Sequence, residues 1–296
     1  MSSFWSWWIT IISVGNILAC YWLIKWASKP RPGEAATGDV TGHTWDDNLQ
    51  EYNNPLPRWW LWMFYGTIIF GLVYLFLYPG LGNWQGYLGW SSTGQYEKEM
   101  EQARQKYDPI FAAFASKPIE ELARDPAALK VGERLFLNYC ATCHGSSATG
   151  APGFPNLTDS AWLWGGTAEA IKASILDGRQ GAMPAWGDTL GEEGVDKVAE
   201  YVLSLAGRQH DAEKAAAGKE TFAQMCAACH GPDGKGNPAM GAPNLTDDVW
   251  LYGGSPGAIR QSIARGRSGR MPAHREFLGE NKVHVLAAYV YSLSQR

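Results

Sequence analysis

Two pentapeptides, Cys140-Ala141-Thr142-Cys143-His144 and Cys226-Ala227-Ala228-Cys229-His230, stand at matched places in a duplicated segment. Gly132-Glu133-Arg134-Leu135-Phe136 precedes the first, and Gly218-Lys219-Glu220-Thr221-Phe222 precedes the second. Pro155-Asn156-Leu157-Thr158-Asp159 and Pro243-Asn244-Leu245-Thr246-Asp247 follow them, then Met183-Pro184-Ala185 and Met271-Pro272-Ala273. The offset is 86 residues at the cysteines and 88 beyond them. Two copies of one unit therefore differ by a two-residue loop insertion.

The spacing has a mechanical reason. On one helical turn, thiols three residues apart can each form a thioether with one haem vinyl group, and the next residue points an imidazole at the iron. C-x-x-C-H reads as c-type haem attachment. A zinc site made from both cysteine pairs would not need a histidine after each. A redox disulfide would want a thioredoxin-like βαβ pattern, which is absent. Cys140, Cys143, Cys226 and Cys229 are thus the attachment residues of two covalent c haems, and His144 and His230 are axial ligands. The fifth cysteine, Cys20, reads as an apolar filler.

A second axial ligand must come from elsewhere. Met183 lies 39 residues after His144, and Met271 lies 41 after His230. Each precedes a proline after a Gly/Arg-rich loop, in matched positions, so these two thioethers are the expected ligands. Met225 and Met240 have no counterpart in the first copy, and His274 stands where the first copy has Trp186. His43, His210 and His284 read as surface or capping residues. The spacing favours each methionine serving its own repeat. Two facing repeats could also exchange their Met loops, and spacing does not exclude that. With imidazole and thioether both bound, the iron has no open site for oxygen. The haems then carry electrons, and no catalytic residue is assigned. A dihaem peroxidase would need one open iron, which two Met-Pro motifs oppose.

Residues 4–24 and 59–78 contain no Asp, Glu, Lys or Arg. Each run suffices to cross a ~30 Å hydrocarbon core at ~1.5 Å per residue. Trp5, Trp7, Trp8, Trp22 and Trp26 cluster on the first, and Trp59, Trp60, Trp62 and Tyr78 on the second, where a bilayer favours amphipathic rings. The first run lacks a basic start, so it reads as a retained anchor and not a signal peptide. Lys25, Lys29, Arg31 and Arg58 flank the loop between the spans, which predicts that loop to be cytoplasmic and the haem region to lie outside. Neither span holds a His, so this chain alone cannot bind a membrane b haem or copper. A formal net charge of −4 argues against a nucleic-acid partner.

Between the motifs, the periodicity predicts helices at Asp125–Tyr139, Thr167–Asp177, Glu192–Leu205, Ala212–Met225, Pro256–Arg265 and Glu280–Leu293, with no hairpin-like strand pair. An amphipathic helix is expected at Tyr96–Ala115. The expected fold is all-α: transmembrane helix 1 (1–27), cytoplasmic loop (28–57), transmembrane helix 2 (58–80) and a linker (81–125). Two tandem class I-like cytochrome c domains (126–207 and 211–296) follow.

The segment between the spans is more specific. His43-Thr44-Trp45-Asp46-Asp47, then Asn53-Asn54-Pro55-Leu56-Pro57-Arg58-Trp59-Trp60, resembles the dihaem cytochrome c subunit (CcoP/FixP type) of cbb3-type cytochrome c oxidases. Leu88-Gly89-Trp90-Ser91-Ser92 and Tyr78-Pro79 also look like that family. Asp47 stands where the family pattern leads one to expect Gly, and the N-terminal span is an addition to the one-span form. The resemblance implies a subunit of the bacterial inner membrane with its haem domains in the periplasm. It would accept electrons from a donor cytochrome c. It would pass them to a monohaem cytochrome c subunit and on to the oxygen-reducing, proton-pumping catalytic subunit. The alternative is a free-standing, lipid-anchored dihaem carrier.

Overall fold

The computed structural model describes residues 1–295. In chain order the elements are α1 (Ser3–Ala27), β1 (Val40–Trp45), β2 (Leu49–Tyr52), α2 (Arg58–Leu77), α3 (Ser92–Ala115) and α4 (Ile119–Leu122). Then come α5 (Pro126–Tyr139), α6 (Ala141–His144), α7 (Ala168–Asp177), β3 (Arg179–Met183) and α8 (Gly187–Leu205). The second copy supplies α9 (Ala212–Met225), α10 (Ala227–His230), α11 (Pro256–Arg265), β4 (Arg267–Met271), α12 (Arg275–Leu278) and α13 (Glu280–Leu293). The chain forms two compact units, residues 1–104 and 105–296.

In the first unit, α1 and α2 are apolar and long enough to span a membrane, and most of their rings are exposed, with Tyr21 of α1 against Tyr65 of α2. Cys20 is exposed on α1. Gly15, Gly66 and Gly71 have open space where a side chain would stand, so they do not bring α1 and α2 together. Between the helices, β1 and β2 form an antiparallel hairpin through Trp45↔Leu49 and Thr44↔Gln50. Its turn uses two consecutive left-handed residues, Asp46 and Asp47, a conformation that short polar side chains tolerate.

The second unit is helical with one strand pair. Asp125 caps α5 by accepting from the amides of Ala127 and Ala128, with Pro126 at the first helical position. Asp211, Thr167 and Ser255 cap α9, α7 and α11 in the same manner. Gly191 interrupts α8 with a positive φ, so the regular helix begins near Glu192.

The all-α expectation needs correction at the two strand pairs. β3 pairs antiparallel with β4 across 88 positions, in the register Arg179↔Met271, Gly181↔Gly269 and Met183↔Arg267. The ladder lies on the approximate twofold that relates the copies. No local turn joins its strands, so no hairpin signal announces it.

Packing follows the ladder and not the sequence boundary. α13 lies against α5, α7 and α4, whereas α8 lies against α9 and α11. One core contains Phe136, Ile171 and Ile175 from the first copy with Val283, Leu286 and Val290 from the second. The other joins Val195, Val198 and Val202 of the first copy to Phe222, Ile259 and Ile263 of the second. The bounds 126–207 and 211–296 follow the sequence repeat, whereas each core draws on both copies: the C-terminal helix of each copy fills the other's interior. An ion-paired cluster reinforces the second core, with Arg260 bonded to Asp196 and to the buried Glu200, and Lys214 bonded to Asp196.

The helix crossings depend on two matched glycines. A Cβ on Gly132 would stand 2.5 Å from Cβ of Tyr289 on α13. On Gly218 it would meet the carbonyl oxygen of Lys197 on α8. Gly218→Ala is expected to push α9 off α8 at a cost of about 1–3 kcal/mol, the usual penalty of overpacking. A melt of the full chain checks this, and an unchanged Tm would contradict the close approach.

Candidate functional site

The two sites are built alike. α5 ends at Tyr139, and the one-turn helix α6 carries Cys143 and His144 directly after Cys140. Gly145, at φ 76°, stops it. Cys226, Cys229 and His230 repeat this around α10, stopped by Gly231 at φ 79°. All five cysteines are free of disulfides. Burial raises the Cys140 thiol to about 11, with Cys143 adding to the rise, and burial likewise raises Cys226.

His144 and His230 are 9% and 8% exposed, and burial lowers both imidazoles from their ordinary value. Each ring uses Nδ1 on a backbone carbonyl: Pro155 O at 3.0 Å for His144 and Pro243 O at 3.1 Å for His230. A carbonyl only accepts, so Nδ1 carries the proton and donates. Nε2 keeps its lone pair for a metal. The Pro-Asn-Leu-Thr-Asp repeat supplies this carbonyl. Oδ1 of Asn156 accepts from the amide and hydroxyl of Thr158, and Asn244 does so for Thr246, which fixes the turn. The repeat was visible in sequence, but its role as the histidine's clamp was not.

The methionines are brought to the sites crosswise. Met271 packs against the buried cluster that contains Phe136, as Cys140, Leu157 and Trp162 do. Met183 packs against the cluster that contains Phe222, as Cys226, Leu245 and Trp250 do. Backbone contacts hold the exchange in place. The amide of His274 donates to the carbonyls of Ile175 and Leu176, and the amide of Trp186 donates to that of Ile263. Met240 is 52% exposed and joins neither core. His43 and His210 are exposed and His284 is half-buried; His284 Nε2 lies 2.8 Å from the carbonyl of Lys117, and His210 Nδ1 2.7 Å from that of Arg208.

These residues fit a covalently held haem on each side. Each site offers two thiols beside a neutral imidazole, a thioether in the same apolar cluster, and half-buried Trp rings. Trp250 Nε1 is buried without an acceptor from the protein, as expected of a donor that serves a bound carboxylate. A cavity of about 320 Å³ separates the two Pro-Asn turns, lined by Trp162, Trp250, Asn156 and Asn244.

Comparison with known proteins agrees with this chemistry. Residues 37–85 match the N-terminal domain of cytochrome oxidase-cbb3, FixP. Residues 127–202 and 213–290 match cytochrome c oxidase, cbb3-type, subunit III. The chain is 50% identical over 295 residues to the cbb3-type cytochrome c oxidase subunit CcoP of Rubrivivax gelatinosus, covering 99% of this chain and 96% of that one. It is 41% identical to the FixP subunit of Azorhizobium caulinodans over 90% of this chain and 97% of the relative. The CcoP subunit of Cereibacter sphaeroides is 38% identical over the same shares.

Proposed function

The chain belongs to the cbb3-type cytochrome c oxidase subunit III family, and from that membership we propose how its residues move electrons. It carries two c haems and is a membrane-anchored electron-transfer subunit of the oxidase. Bound haem supplies a one-electron couple. The protein supplies the ligands, their protonation and a dry surround. In our reading, Cys140 and Cys143 would hold one haem, with His144 and Met271 as its iron ligands. Cys226 and Cys229 would hold the other, with His230 and Met183. The crosswise methionine packing is the observation that carries this reading. Ligation by a histidine and a methionine would raise the haem potential and leave no site for oxygen, so these residues would suit the haems to relaying electrons. The bond from Nδ1 to Pro155 or Pro243 orients each imidazole.

The donor is a cytochrome c and the acceptor the monohaem subunit, which feeds the catalytic, proton-pumping one. The haem unit lies on the periplasmic side of the inner membrane. Support comes from Lys25, Lys29, Arg31 and Arg58 around the loop between the spans.

Purification in mild detergent tests the assignment. The chain is expected to elute with polypeptides that bear b haem and copper, and its haems to be oxidised by oxygen only in their company. Elution alone, with no b haem or copper, would favour a free-standing carrier.

A further inference from the structure

Alternate residues of a strand share a face. The inward face of the β3–β4 ladder therefore reads Arg179, Gly181, Met183 against Met271, Gly269, Arg267. Each methionine has an arginine directly across the ladder. Both arginines are half-buried, although Arg270 on the same strand is exposed.

Each guanidinium is held in place by uncharged groups. Arg179 Nε donates to Ser174 Oγ at 3.0 Å, and its guanidinium lies 5.3 Å from the Trp164 ring centre. Arg267 Nε donates to Ser262 Oγ at 2.9 Å and lies 4.4 Å from the ring of Tyr252. Ser174 and Ser262 sit on α7 and α11, at equivalent positions in the two copies. The other half-buried arginines of this unit find carboxylates: Arg208 has Asp248, and Arg260 has Asp196 and Glu200. Among the described residues no carboxylate pairs with Arg179 or Arg267. A half-buried cation fixed by a serine and an aromatic face, with its two terminal nitrogens uncommitted to any anion, is suited to a carboxylate brought from outside the protein.

We propose that Arg179 and Arg267 bind the propionate carboxylates of the two haems and hold their potentials up. Arg179 serves the haem attached at Cys140 and Cys143, and Arg267 serves the haem attached at Cys226 and Cys229. Arg179 follows α7, which packs in the core containing Cys140, and Arg267 follows α11, which packs in the core containing Cys226. This placement rests on the dihaem reading but not on the crosswise methionines. A fixed positive charge beside the haem favours the form that has gained an electron, so its removal lowers the midpoint.

The test is a spectroelectrochemical titration of the detergent-solubilised oxidase complex, resolved into its c-haem components. Arg179→Gln is expected to shift one component, and Arg267→Gln the other. Each should shift downward by about tenfold in the reduction equilibrium, or ~59 mV for one electron. The sulfur-to-iron band should be intact in both, and Arg270→Gln should leave both components in place. Arg179→Lys keeps the charge and should retain most of the parent value. If neither glutamine variant moves a component, or both move the same one, the proposal is wrong. A shift as large in Arg270→Gln, or an equal fall in Arg179→Lys, overturns it as well.

Discussion

Met271→His lowers the midpoint of the haem attached at Cys140 and Cys143, in the other sequence copy, by roughly a few hundred millivolts, inside the ~0.8 V that axial ligands span. The thioether raises the potential relative to a second imidazole. Met271 shares its core with Cys140 and Phe136, and Met183 shares its core with Cys226 and Phe222. Because the thioethers keep the porphyrin attached, ligand loss is read from the spectrum. Met271→Ala should abolish half of the sulfur-to-iron band. Adding His144→Ala should leave the remaining half, since both changes strike one iron. Adding His230→Ala instead should remove it. The reverse pattern would mean that each methionine serves its own copy, and the crosswise pairing would be wrong.

A polypeptide ending at residue 207 is expected not to form a native haem domain, although it contains a whole sequence repeat. It lacks α13, which places Val283, Leu286, Val290 and Leu293 against α5 and α7. Each such side chain contributes about 1.5–3 kcal/mol when buried. Their sum is comparable with the ~5–15 kcal/mol that holds a whole domain together. Truncation also exposes the face of α8 that covers α9. Residues 105–296 should melt cooperatively, and residues 105–207 should show neither a cooperative melt nor a sulfur-to-iron band. A shorter chain that melted sharply with a His/Met spectrum would contradict the shared cores.

Local chemistry was readable from the residues. The one-turn helices of the two C-x-x-C-H motifs and the helix caps depend on residues close in sequence, and spacing encodes them. Asp125 and Pro126 marked the start of α5 because capping is a one-turn event. The exchange was not readable. The preference for Met183 with His144 came from a span of about forty residues that either arrangement satisfies. Choosing between them requires knowing that Arg179 pairs with Met271 across 92 positions, and periodicity carries nothing of that length. The hairpin at 40–52 escaped for a different reason. Its strands are wholly exposed and lack the alternation of a half-buried sheet, and its turn uses Asp46 and Asp47 in place of glycine. Arg179 and Arg267 looked like loop punctuation, because a cation's significance depends on which carboxylates it lacks.

The ladder across the twofold also has a consequence in time. Synthesis runs from the N-terminus, and 127 residues separate His144 from Met271. At roughly 5–20 residues per second the interval is about 6–25 s. During that interval α5 and α7 wait for β4 and α13, whereas α8 is already made when α9 and α11 appear. Assembly is therefore asymmetric in a nearly symmetric molecule, and the earlier core is the one that stays open until its closing helix arrives.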